Sequence, residues 1–174
     1  MEINVAQLLK EPIGAERRYH LDLEGEDARF MEGVYQAKGE IRLLRLADSI
    51  MVTGRIEPLV ELTCARCLES FRQVVAFDLQ DEYYPSIDIS SGAGLPLPKD
   101  PNVFIIGSDH ILNLEEASRQ YTILALPMKP VCRQDCRGLC SQCGTNLNLG
   151  TCQCIPQSTD PRLAALAELK TKLT

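Results

Sequence analysis

Eight cysteines in four close pairs constrain this 174-residue chain more than any other feature it has. They stand as Cys64-x2-Cys67, Cys132-x3-Cys136, Cys140-x2-Cys143 and Cys152-x-Cys154. Each spacing brings two sulfurs within bite of one tetrahedral ion, with Zn–S bonds of about 2.3 Å. In C-x2-C the intervening turn folds both side chains inward. In C-x3-C a helical turn does the same, and in C-x-C a strand directs both to one face. Gly144 directly follows Cys143, and Gly138 and Gly150 lie on either side. All three supply the backbone freedom, positive φ included, that a tight metal knuckle needs.

Four pairs make one or two four-cysteine sites, and two sites can be assembled in three ways. Eight residues separate Cys143 from Cys152, which favours Cys140, Cys143, Cys152 and Cys154 as a local set. Cys64, Cys67, Cys132 and Cys136 then form a second set that closes a loop of more than sixty residues and staples the β-rich region to the C-terminal segment. A structural zinc contributes roughly 10–16 kcal/mol of apparent folding free energy, on the scale of a whole domain's net stability. Rival chemistries fit less well. A thioredoxin-type C-x2-C opens a helix in a βαβ setting, whereas Cys64 follows a strand pattern. Iron–sulfur ligation also takes four thiolates. Catalytic zinc keeps an open position, for which an all-cysteine set without a neighbouring acid or base is poorly suited.

Disulfides are disfavoured by compartment. The first ten residues, Met1 to Lys10, lack the basic and long apolar regions of a secretory signal. The longest apolar runs, such as Ile123–Leu126, are far too short to span a bilayer. The expected location is therefore the cytoplasm, with no membrane partner. A net charge of −6 is unlike that of a general nucleic-acid binder. The charge is uneven: residues 78–116 carry eight acids against Lys99 alone.

Along the chain, Val5, Leu8 and Leu9 suggest a short helix in the first ten residues, stopped before Pro12. Arg17–Leu23 alternates as a strand does, and 33–84 is strongly β, with a bulge expected near Leu43–Leu44 and turns at 47–49 and 64–67. Residues 85–103, with four prolines and two glycines, read as a linker. Asn113 and Glu116 have capping-box spacing for a helix whose apolar face is Leu114, Ala117, Tyr121 and Leu124, ending at Pro127. A last helix is expected from Asp160 and Pro161, with Leu163, Leu166, Ala167 and Leu173 on one face. The expected class is α+β: an antiparallel β meander or small barrel with a helix and a C-terminal cysteine-rich zinc-binding segment. The domain reading is 1–84 for the β-rich part with the first knuckle, 85–103 for the linker, and 104–174 for the helix, cysteine-rich segment and C-terminal helix.

His20 and His110 are remote from the cysteines in sequence and read as ordinary surface or packing residues. No nucleotide-binding loop, metalloprotease or nucleophile-elbow motif occurs, and the acids of 78–116 read as a solvated face. No catalytic residue and no small-molecule substrate is expected. Arg66, Arg72, Lys129, Arg133 and Arg137 lie beside the cysteines. They either offset the formal −2 charge of a tetrathiolate zinc centre or assemble a phosphate-contacting patch.

Four segments in order, Leu62-Thr-Cys-Ala-Arg-Cys-Leu-Glu-Ser-Phe71, Leu126-Pro-Met-Lys-Pro-Val-Cys132, Gly138-Leu-Cys-Ser-Gln-Cys-Gly-Thr-Asn-Leu147 and Asp160-Pro-Arg-Leu-Ala-Ala-Leu166, resemble the YceD family. The likeness runs from about Val34 to Leu173. It implies a bacterial factor needed for normal accumulation of large-subunit ribosomal RNA, acting on that RNA, on a pre-ribosomal particle or on a basic ribosomal protein. It brings no catalytic residue, so the expectation is a non-enzymatic protein holding one or two Zn2+. Rival functions are a thiol-metal redox or metal-sensing protein, and an interaction module with purely structural zinc.

Overall fold

The computed structural model describes residues 1–28 and 30–154, so the helix expected from Asp160 lies outside the described residues. The chain forms two compact units. The first comprises Met1–Ala65 and Glu69–Cys132; the second comprises Arg66–Leu68 and the chain from Arg133 onward. The protein is mostly β with few helices, an α+β chain whose strand pairs among the described residues are antiparallel with one exception.

The first unit is built on a long hairpin. β3 (Val34–Arg45) and β4 (Ile50–Thr63) pair in register from Arg45↔Ile50 to Gln36↔Leu59, turning where the Leu46 N–H donates to the Ser49 carbonyl. β2 (Glu16–Glu24) pairs along all nine residues with the outer edge of β3. The opposite edge of β4 carries two strands end to end. β5 (Ser70–Val74) pairs with Leu59–Thr63, and β6 (Phe77–Pro85) pairs with Ile50–Ile56. β7 (Phe104–Ile106) then joins β6 in parallel. A parallel neighbour cannot be reached by a tight turn. Residues 86–103 make that crossover, tied by the Ile87↔Gly94 bridge and by donation from Ser86 to the Ile106 carbonyl.

Period-two burial turns Ala37, Ile41 and Leu43 of β3 and Ile50, Val52, Ile56 and Val60 of β4 to one face, which forms the core with Leu79, Tyr83 and Ile106. Leu43 and Leu44 keep this alternation and pair in register with Val52 and Met51, so the bulge expected there is absent; the register shift falls instead between Val34 and Gln36. Midway along the hairpin, Gly39 faces Ile56 and Gly54 faces Ile41. A Cβ on Gly39 would stand 2.3 Å from the Arg55 carbonyl oxygen, and one on Gly54 2.4 Å from that of Glu40. The glycines permit this close approach of the two strands.

The N-terminus departs from the all-helical expectation. Glu2–Asn4 forms β1, which pairs with β8 (Ile111–Asn113), and only Ala6–Lys10 is helical (α1), with Val5, Leu8 and Leu9 buried as the periodicity required. The Asn4 Oδ1 accepts the Ala6 N–H at the helix start. In α2 (Glu115–Ala125) the Asn113 Oδ1 accepts the Glu115 N–H at 2.8 Å. Glu116 closes no capping box and pairs forward with Arg119 and Gln120. The apolar stripe is also corrected. Leu124 is 82% exposed, although at about 100° per residue it lies about 20° round the helix from buried Ala117. Ser118 and Thr122 are buried in its stead, and Tyr121 stacks on Phe77 at 5.7 Å.

The second unit is small and nearly without apolar core. Among its described residues only Cys67, Cys136 and Gly138 are buried. Among these described residues the regular structure is a single bridge, Leu139↔Asn146, with the Leu147 N–H donating to the Gly138 carbonyl.

Gly39→Ala and Gly54→Ala are each expected to destabilise the protein by about 1–3 kcal/mol through overpacking against backbone. Gly94→Ala, with no atom within 4 Å of the new Cβ, is expected to be near neutral. Urea midpoints of the three variants check this; equal midpoints would refute the close-approach account.

Candidate metal centres

The C-x2-C pairs arise from the same local device used twice. In the first, the Cys64 N–H donates to the Glu69 carbonyl at 2.9 Å, and Leu68, just after the second cysteine, has φ +61°. In the second, the Cys140 N–H donates to the Thr145 carbonyl at 2.9 Å, and Gly144 has φ +71°. Each turn curls two cysteines toward a common point. A leucine in the left-handed region costs about 1–2 kcal/mol, which glycine avoids. The first turn caps the β4–β5 hairpin, and the Cys64 sulfur there accepts the Cys132 N–H at 3.4 Å.

The eight sulfurs fall into two sets. Those of Cys64, Cys67, Cys132 and Cys136 lie within 4.8 Å of one another, and so do those of Cys140, Cys143, Cys152 and Cys154. These are the two sets that spacing favoured, and no cysteine is in a disulfide. A tetrahedron of Zn–S bonds has edges of about 3.8 Å, so each set needs to contract by at most about 1 Å around one ion. A multi-iron cluster would require its sulfurs to stand further apart. Both sets therefore fit a single tetrahedral ion with no open position. Neither His20 nor His110 belongs to them, and among the described residues no other group of three histidines, cysteines or acids comes together in this way.

The two sets differ in setting. Cys64, Cys67 and Cys136 are buried, whereas Cys143 is exposed and the rest are half-buried. In the local set the Thr145 hydroxyl, 3.1 Å from the Cys143 sulfur, is the main reason that thiol is held down to about 6. The Cys140 thiol is also lowered, first by the Cys143 backbone N–H. Cys154 is pushed up to about 12, chiefly by its hydrogen bond with Cys143. Clustered thiols cannot all ionise without a cation among them, and a divalent ion removes that conflict.

Three of the five cations beside the cysteines have partners for their side chains among the described residues. Arg66 donates to the backbone carbonyls of Gln134 (3.2 Å) and Cys136 (3.0 Å). Arg72 lies over the Tyr35 ring at 4.3 Å and within 3.8 Å of Glu61. Arg133 reaches Asn148 at 2.8 Å and Asp135 at 3.5 Å. Lys129 and Arg137 are also near the sets in sequence, and the Arg137 backbone N–H donates to Asn148. Sequence reasoning missed Asn148, whose amide nitrogen lies 3.3 Å from the Cys136 sulfur. Its only sequence signal is its place in the loop between Cys143 and Cys152.

Comparison with known proteins bears on the role. The profile of the family described as large ribosomal RNA subunit accumulation protein YceD matches residues 52–170. An uncharacterized protein of Mycobacterium tuberculosis is 32% identical over 131 residues, which cover 75% of this chain and 60% of the relative. An uncharacterized protein of Mycobacterium leprae is 28% identical over 109 residues, covering 62% of this chain and 48% of the relative. The matched part of the chain thus spans 60% or less of the length of these curated relatives. No solved structure matches significantly.

The knuckle geometry yields a graded expectation. Gly144→Ala adds only left-handed strain, since nothing lies within 4 Å of its Cβ, and should cost about 1 kcal/mol. Gly138→Ala adds strain and a 3.0 Å contact with the Arg66 carbonyl oxygen, and should cost more. Leu68→Gly should stabilise by up to about 1 kcal/mol, strain relief outweighing the added chain entropy. Thermal unfolding of the metal-loaded variants tests the order, and a stabilising Gly144→Ala would refute it.

Proposed function

As the chain belongs to the YceD family, we propose that it is a zinc-binding, non-enzymatic factor on which the accumulation of large-subunit ribosomal RNA depends. The observation that carries this role is the family match over residues 52–170, which takes in all eight cysteines. Two sets of four sulfurs, each within 4.8 Å, support zinc as the cofactor, because a closed tetrahedral thiolate site suits that ion and serves structure rather than catalysis. The protein then acts in the cytoplasm by binding a pre-ribosomal particle. Among the described residues no helix is long and apolar enough to cross a membrane.

For the direct contact, charge favours a basic ribosomal protein over bare RNA. The chain carries −6 overall, and Arg66, Arg72 and Arg133 are engaged within the protein. Lys129 and Arg137 remain the best candidates for phosphate contact, with the three engaged arginines as the weaker part of that patch. An acidic surface steers toward cationic partners and away from phosphates.

Removing the gene from its host should lower the ratio of large- to small-subunit ribosomal RNA, and wild-type expression should restore it. An unchanged ratio would refute the ribosomal role. Elemental analysis of protein purified without added metal should give two zinc ions per chain, with eight thiols titrating after denaturation in chelator; iron, or no metal, would refute the zinc reading. Retention on a basic large-subunit protein is expected to exceed binding to naked large-subunit RNA. RNA affinity that dominates and falls linearly with log salt would reverse that order.

A further inference from the structure

Asn148 belongs to the loop between the two halves of the local set, Cys143 and Cys152, yet its side chain touches the other set. Its amide nitrogen is 3.3 Å from the Cys136 sulfur and 2.9 Å from the Asn146 Oδ1. Its Oδ1 accepts the Arg137 backbone N–H at 2.8 Å and the Arg133 guanidinium at 2.8 Å. A primary amide has two donor and two acceptor positions, so all four are used. The orientation is over-determined as well: two donors fix the oxygen on one side, which leaves the N–H2 group to face the sulfur. The loop that presents it is closed at one end by Cys140 and Cys143 and at the other by Cys152 and Cys154. Within it the Asn148 N–H donates to the Asn146 Oδ1 at 3.0 Å and the Gly150 N–H to the Asn146 carbonyl.

We propose that Asn148 is a positioning residue that couples the two metal centres, so that an ion in the Cys140/Cys143/Cys152/Cys154 set raises the affinity of the Cys64/Cys67/Cys132/Cys136 set. Closing the local set fixes both ends of the 144–151 loop and so pre-pays the ordering of the Asn148 amide. An N–H donor placed at a thiolate draws a little charge from the sulfur, and it favours binding because it stabilises the assembled anionic site and holds the lone pair in one direction. By linkage the effect is reciprocal: filling the Cys64 set also strengthens the local one. The proposal rests on the cysteines holding metal.

The test uses the full chain, stripped of metal under reductant, with cobalt as the probe. In wild type, cobalt binds with two equivalents. Cys152→Ser/Cys154→Ser is expected to weaken the Cys64 set by about tenfold or more, and Asn148→Ala to weaken it by about 10–100-fold with the local set intact. Combining the two should add little to either, because both remove one coupling. Asn148→Ala should also move the sulfur-to-cobalt charge-transfer band to lower energy, a shift that loss of packing alone would not cause. Asn148→Asp should bind more weakly still, since an oxygen would face the thiolate. Unchanged affinity and band position in Asn148→Ala would overturn the coupling while leaving the metal reading intact. So would fully additive losses in the combined variant. Failure of the wild type to bind cobalt at all would overturn both.

Discussion

Thiols gathered in fours are what the second unit depends on. A protein segment is normally ordered by burying apolar side chains, and this one buries none of aliphatic type among its described residues. What it has is cysteine: Cys67 and Cys136 are buried, and every sulfur lies in one of two sets within 4.8 Å. The remaining order comes from hydrogen bonds that converge on the same places. Arg66 holds the carbonyls of Gln134 and Cys136, and Asn148 holds Arg137, Arg133 and the Cys136 sulfur. Small domains that lack a core commonly rely on metal or disulfide for stability. No disulfide is present, and each set of four sulfurs has the spacing to take one tetrahedral ion.

The first unit is the physical opposite. Its sheet and helices bury a continuous set of Ile, Leu, Val and aromatic side chains, from Val5 and Leu8 through Ile41, Ile50 and Ile56 to Leu112 and Leu114. The division explains why two turns of identical backbone geometry use different residues. Leu68 follows a knuckle that caps a hairpin already fixed by five strand pairs, from Leu59↔Val74 to Thr63↔Ser70. Left-handed strain of about 1 kcal/mol is tolerable against that support. Gly144 follows a knuckle held by one bridge, where the same strain would be a larger share of what keeps the turn closed.

Local chemistry was legible in the sequence, and long-range placement was not. Cysteine spacing favoured the two sulfur sets that come together because a turn's geometry is short-ranged, and alternation marked 33–84 as β. The errors lie where a distant partner decides. Glu2–Asn4 becomes a strand because β8 offers an edge, although β8 is more than a hundred residues away. Leu43–Leu44 looks like a bulge only if both leucines must be inside; with Leu44 half-buried on the other face, no bulge is needed. Helical periodicity put Leu124 on the apolar stripe beside Ala117, yet it is exposed, and Ser118 and Thr122 on the other flank of Leu114 are buried. Asn148 was invisible for the same reason, since an asparagine four residues from a cysteine carries no mark of the sulfur it faces.

Charge sets the remaining constraint on what this chain can do. A tetrathiolate zinc centre has a formal charge of −2, so two of them would deepen an already acidic balance unless cations lie close. Arg66 and Arg133 are at hand: Arg66 donates to two backbone carbonyls and Arg133 to the Asn148 amide oxygen. Arg133 acts at one remove: its guanidinium polarises the Asn148 amide, whose N–H faces the Cys136 sulfur. A chain of donors of this kind strengthens each link while occupying the guanidinium that phosphate binding would require. The same arginines cannot fully serve both purposes. The hydrogen bonds around the sulfur sets thus engage two of the cations that a phosphate-contacting patch would draw on.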